Sequence, residues 1–119
     1  MKRPAVLIKR AYDPPSKHDG IRVLVDRLWP RGLSKAHASI DLWLKDIAPS
    51  VALRRWFKEQ PERWSEFVRR YSAELDAKPA SIAALIGAAR HGRVTLLFGA
   101  RDTRRNSAVA LHEYLTERV

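Results

Sequence analysis

The run Val94-Thr95-Leu96-Leu97-Phe98-Gly99-Ala100 leaves this chain the fewest choices of fold. It is apolar on nearly consecutive positions, so it reads as a strand covered on both faces, the usual setting of a strand in a parallel sheet. Helical patterns flank it. Ile82, Leu85, Ile86 and Ala89 make a stripe with Ser81 as a plausible cap, ending at His91-Gly92. After the loop Arg101-Asp102-Thr103-Arg104-Arg105, Asn106 or Ser107 can cap a last helix carrying Ala108, Leu111, Tyr114 and Leu115. A unit of helix, strand, loop and helix belongs to layered α/β architecture.

The upstream sequence repeats that grammar. Ala5-Val6-Leu7-Ile8 reads as a first buried strand and Ile21 to Val25 as a second. Between them, Pro14-Pro15 stops regular structure, and Ser16-Lys17-His18-Asp19-Gly20 is a turn that Ser16 can cap. The link is short for a parallel crossover, so pattern alone leaves a hairpin open. Ile40 to Asp46 alternates as a short half-buried strand, with Trp43 on the side opposite Ile40, Leu42 and Leu44. Pro49-Ser50 opens a helix with Leu53, Trp56 and Phe57 on one side; Pro61 ends it and begins another, striped by Trp64, Phe67, Val68, Tyr71 and Leu75. The expectation is one α/β domain over residues 1–119, a mostly parallel sheet of about four strands flanked by helices.

The one unusual total is charge: 23 Lys and Arg against 13 Asp and Glu, a net charge of +10. Such an excess favours anionic partners, whether small phosphorylated molecules, nucleic acid or acidic proteins, although a freely arginine-coated surface gives the same sum. The absence of cysteine excludes disulfides and thiolate metal sites. The longest apolar runs are too short to cross a bilayer, and Met1-Lys2-Arg3 precedes too few apolar residues for a signal peptide, so no membrane partner and a cytoplasmic setting are expected. His18, His37, His91 and His112 lack paired ligand spacing, so no metal site is expected. The glycine signatures of common nucleotide-binding folds and of serine hydrolases do not occur.

In open parallel sheets ligands bind beyond the carboxyl ends of the strands. Three loops meet that rule. They carry Arg10, Tyr12 and Asp13; then Asp26, Arg27, Trp29, Arg31 and Gly32; then Gly99, Arg101, Asp102 and Asn106. Arginines with nearby acids, beside a helix start, suit a phosphate or carboxylate ligand. In this reading Arg27, Arg31 and Arg101 hold the anion, Trp29 covers it, Asp13 and Asn106 complete the rim, and Asp26 or Asp102 handles protons. Each also has a structural reading, Asp26-Arg27 as an ion pair and Asp102 as a turn or cap. The basic residues among the aromatics of the two middle helices, Arg54, Arg55, Lys58, Arg69 and Arg70, read as a solvated face over core aromatics.

Tyr12-Asp13-Pro14-Pro15-Ser16, Asp19-Gly20, the block Arg22 to Lys35, Leu42-Trp43-Leu44-Lys45, Ala48-Pro49-Ser50, the aromatics of the middle helices and Val94 to Asp102 together form a signature. On these residues the chain resembles the YeaO-like bacterial proteins, a branch of the domain of unknown function 488 group. The resemblance covers nearly the whole chain, and its Val-Asp-Arg-Leu-Trp-Pro-Arg-Gly block is highly specific. It implies a small cytoplasmic α/β domain with a mainly parallel sheet, and no established activity or cofactor. Asp26, Arg27, Trp29, Arg31, Arg101 and Asp102 fit the family pattern. Relatives often carry a histidine and an amide near the start of the last helix, where this chain has Arg105 and Ser107, which weakens an acid–base proposal. The leading expectation is a phosphate- or nucleotide-like ligand at the strand-end rim, with hydrolase or transferase chemistry as an extension. The alternatives are a non-catalytic nucleic-acid binder or a protein-interaction module. The sequence fixes no oligomeric state.

Overall fold

The computed structural model describes residues 6–118, so Ala5, where the first strand was expected to begin, lies outside the described residues. Four parallel strands, β1 (Val6–Arg10), β2 (Ile21–Leu24), β3 (Leu42–Trp43) and β4 (Val94–Phe98), form one sheet in the order β1-β4-β2-β3. Every residue of β4 is buried, as its unbroken apolar run requires. β4 pairs Val6 with Val94 on one side and Ile21 with Val94 on the other. The first two strands are therefore not neighbours, and the hairpin alternative is excluded.

The link between them is a short crossover over β4. Residues 11–20 run from the carboxyl end of β4, where the Ala11 N–H donates to the Phe98 carbonyl at 2.7 Å, back towards its start, ending in a 3₁₀ turn, Lys17–Asp19, capped by Ser16. Gly20 follows at φ +65°, and a Cβ there would lie 2.1 Å from the Arg93 carbonyl oxygen, so only glycine lets the chain turn this close to β4.

Alternation along the strands divides the sheet into unlike faces. Val23, Val25, Leu96 and Phe98 face a large core built with α2 (Val51–Glu59), α3 (Trp64–Asp76), α4 (Pro79–His91) and α5 (Ser107–Thr116). Phe67, Tyr71 and Leu75 of α3 and Leu111 and Leu115 of α5 are among its fully buried side chains. Leu24 and Leu97 point the other way, into a small cluster with Ala11 that is roofed by Trp29, Leu33, Ile40 and Trp43. Beside that cluster the second face carries a buried polar group. Asp19 and Arg22, each 3% exposed, form an ion pair of 2.6 Å. Lys9 joins it at 3.1 Å, and Thr95 Oγ1 donates to the Asp19 carbonyl at 2.7 Å.

Local differences from expectation have specific causes. The third strand is only Leu42–Trp43, because the residues after it turn away to meet the helices. There Tyr71 Oη donates to the Ile47 carbonyl at 2.7 Å, and Lys78 Nζ donates to the carbonyls of Asp46 and Ala48. A short helix, α1 (Lys35–Ala38), is capped by Ser34, and its Ala38 carbonyl accepts the buried Arg22 guanidinium at 2.9 Å. Pro61 lies in the turn before α3 and does not open that helix, which starts at Trp64. Likewise α4 starts at Pro79 behind Lys78, so Ser81 sits inside it and is no cap. Among the described residues, no helix is long and apolar enough to cross a membrane.

Candidate functional site

The carboxyl ends of β2 and β4 are joined by an acid. The Val25 N–H donates to the Leu97 carbonyl at 3.2 Å, extending the pairing by one residue and delivering Asp26 to the rim. There Asp26 Oδ2 accepts the Gly99 N–H at 2.8 Å. A Cβ on Gly99 would be 3.4 Å from that oxygen, an ordinary contact, so this approach does not itself demand glycine. Burial lifts the Asp26 carboxyl above its ordinary pKa, against the opposing pull of the Gly99 N–H and the Arg54 charge.

Asp26 forms part of the wall of a cleft of about 600 Å³ between the loop after β2, the helix α2 and the start of α5. Cavities that hold small ligands span about 300–1,000 Å³. Five basic residues line it: Arg27 from the loop, Arg54, Arg55 and Lys58 from α2, and Arg105 just before α5. Among the described residues the Arg27 Nη2 makes only a long 3.4 Å contact with the Pro49 carbonyl, and its buried Nε has no hydrogen-bond partner. A buried guanidinium donor left unpaired carries a desolvation cost. The helix starts themselves are already served. Asn106 Oδ1 accepts the Val109 N–H at 2.9 Å, Ser50 Oγ caps α2, and Glu74 takes both the N–H and the hydroxyl of Ser50. The positive character of the cleft therefore comes from side chains.

The residues expected at the site divide accordingly. Asp26, Arg27 and Asn106 line the cleft. Asp102 is exposed and outside its lining. Its Oδ1 accepts the N–H groups of Arg104 and Arg105 at 2.9 and 3.0 Å, which hold its carboxyl below the ordinary value. Asp13 closes a turn by accepting the Arg10 N–H at 3.2 Å, and the Arg10 guanidinium clamps the carbonyls of Gly99 and Ala100. Trp29 sits on the opposite face of the sheet, donating to the Leu33 carbonyl at 2.6 Å and meeting Trp43 edge to face at 5.5 Å. Arg31 and Arg101 are exposed and outside the lining, Arg31 lending its carbonyl to Tyr12 Oη at 2.7 Å.

Arg54, Arg55 and Lys58 are exposed, as expected of a solvated helix face, and they also line the cleft. The available signal was their spacing, since Arg54 and Lys58 stand one turn apart on the same side of α2. The aromatics of α2 and α3 serve the core: Phe57, Trp64 and Phe67 pack on one another with centroids 4.4–5.8 Å apart, and Arg70 covers Trp56 at 4.3 Å. Among the described residues no group of three His, Asp or Glu side chains converges as metal ligands would.

A parallel sheet with its four longer helices on one face and a basic cleft at its carboxyl rim defines a small α/β protein, and comparison places it in a family. Residues 5–119 match the family described as the inactive DUF488-N3 subclade, and the chain belongs to it. It is similar to the uncharacterized protein YeaO of Escherichia coli (strain K12), at 40% identity over 107 residues, 90% of this chain and 93% of that one. It is equally similar to the uncharacterized proteins Mb3100c of Mycobacterium bovis and Rv3073c of Mycobacterium tuberculosis, each 40% identical over 113 residues, 95% of both chains. No solved structure matches.

Proposed function

We propose that this protein binds a small phosphorylated anion in the cleft at the carboxyl ends of β2 and β4 and does so without catalysing a reaction on it. The observation that carries the reading is the grouping of Arg27, Arg54, Arg55, Lys58 and Arg105 around one cleft whose lining, among the described residues, includes a single acid, Asp26. Guanidinium groups recognise phosphate oxygens through charge-assisted, often paired hydrogen bonds, and they keep their charge at any physiological pH.

Two considerations favour binding over turnover. The family description carries the word inactive. The second acid expected to move protons, Asp102, already accepts two backbone N–H groups and stands outside the cleft lining. Of the expected ligand residues, Arg27 is central to this reading. Arg31, Arg101, Trp29 and Asp13 stand outside the cleft lining, and Asp13, Arg31 and Trp29 support the loops through their hydrogen bonds.

Isothermal titration with pyrophosphate tests the proposal. Wild type is expected to give a saturable, salt-sensitive isotherm, and Arg54→Glu combined with Arg105→Glu to abolish it while the fold stays intact by circular dichroism. Saturable binding that survives the double charge reversal would place the anion elsewhere and overturn the reading.

A further inference from the structure

A cleft whose task was to hold any anion would gain nothing from an acid in its wall, yet Asp26 is there. Its Oδ2 is tied to the Gly99 N–H, while its Oδ1 has no hydrogen-bond partner among the described residues. An ionised carboxylate can only accept hydrogen bonds, so Oδ1 repels a bare anion and attracts a ligand O–H or N–H. The same cleft carries apolar surface at its mouth. Leu28 is 67% and Val51 52% exposed, two of the largest exposures among the large apolar side chains, and both line it. Cationic groups, one free acceptor and an apolar lip are thus brought together by three different segments of the chain.

We infer that the ligand is a phosphate monoester of a hydroxylated, donor-bearing body, its phosphate on Arg27, Arg54 and Arg105 and one of its O–H or N–H groups on Asp26 Oδ1. Asp26 is then the specificity residue of the site. It penalises inorganic phosphate by like-charge repulsion and offsets that penalty only for ligands that bring a donor. This inference rests on the preceding reading that the cleft binds a phosphorylated anion. The chemistry is shared by free sugar phosphates and by nucleoside monophosphates, which differ in whether a base is present to cover Leu28 and Val51.

Titration calorimetry with inorganic phosphate, phenyl phosphate, ribose 5-phosphate and adenosine 5′-monophosphate separates these possibilities. Wild type is expected to bind ribose 5-phosphate about tenfold more tightly than phenyl phosphate or inorganic phosphate, the effect of one hydrogen bond to a charged acceptor. Asp26→Asn retains an acceptor for the Gly99 N–H and is expected to close that gap, strengthening phosphate and weakening ribose 5-phosphate; Asp26→Ser serves the same purpose should the asparagine variant not fold. Tighter binding of adenosine monophosphate than of ribose 5-phosphate assigns the ligand to nucleotides, and equal binding to free sugar phosphates. Equal affinity of wild type for inorganic phosphate and ribose 5-phosphate would overturn the inference. So would an Asp26→Asn variant that strengthens all four alike. Both results leave the anion site standing, whereas the absence of saturable binding by any of the four removes site and inference together.

Discussion

Asp19 and Asp26 stand at opposite ends of β2, each among basic side chains, and their surroundings assign them opposite work. Asp19 is saturated. Its carboxylate receives Arg22 at 2.6 Å, Lys9 at 3.1 Å and the Ser16 N–H at 2.9 Å. Its burial alone would raise its pKa, but the Ser16 N–H, Lys9 and Arg22 outweigh that and hold it below the ordinary value. Among the described residues Asp26 has a single donor, the Gly99 N–H; its other side borders the basic cleft, and burial pushes its pKa up. An acid with all its partners inside the protein is scaffold, and an acid short of partners beside surplus cations is where a ligand can supply the missing ones.

The comparison is most severely tested at Asp19. Asp19→Asn leaves Arg22, 3% exposed, without its counter-charge, and a loss of about 3–5 kcal/mol is expected in urea unfolding. A loss below about 1 kcal/mol would return Asp19 to the class of surface ion pairs. The pH dependence has a definite sign. Because the folded state holds Asp19 below its unfolded value, its contribution is present above the unfolded carboxylate range near pH 4 and is lost as pH falls through the lower folded value. Wild type should therefore lose stability over that acid window, and the asparagine variant should lose less.

Smaller effects test the surroundings of each acid. Tyr71→Phe removes the buried hydroxyl that holds the Ile47 carbonyl, with an expected cost of about 1–3 kcal/mol by the same urea assay. Trp29→Phe removes the N–H bonded to Leu33 and is expected to cost about 1 kcal/mol. Since Trp29 packs on the opposite face from the cleft, its loss should leave pyrophosphate affinity unchanged; a large drop in affinity would return this ring to the ligand. Asp26→Asn should have the smallest effect, a gain on the order of 1 kcal/mol or less at neutral pH. Its sign opposes that of Asp19: the folded state raises the Asp26 pKa, so ionisation costs stability as pH rises above the unfolded value. The advantage of the variant should shrink as pH falls through the folded value, which melting curves at neutral and acid pH would detect.

The same two acids mark how far the sequence could be read. β4, α3 and α5 were legible because an unbroken apolar run, a helical stripe and a capping asparagine are local signals. The buried pairing of Asp19 with Arg22 was not, because Arg22 lies within a strand pattern and its burial depends on Lys9 and Ala38 arriving from other segments. Asp26, Arg27 and Asn106 could be placed at the rim from topology alone. Arg54, Arg55 and Lys58 could not, since a basic helix side looks the same in solvent as against a cleft, and the choice is made by where α2 packs. Trp29 shows the converse: a tryptophan in a charged loop reads as a ligand cover, and only the pairing of β2 with β3 brings Trp43 against it.

Anion binding in the cleft beside Asp26 can be read from the N–H groups that line it. The most direct measurement is a two-dimensional ¹H–¹⁵N spectrum, with arginine Nε–H groups resolved, during titration with ribose 5-phosphate. Binding there should give saturable shifts confined to the Arg27 Nε–H and the amides of Arg54, Gly99, Arg105 and Ser107, with Asp19 and Arg22 unmoved. Shifts spread over exposed arginines such as Arg31, Arg69 and Arg101, with the Arg27 Nε–H unchanged, would contradict it.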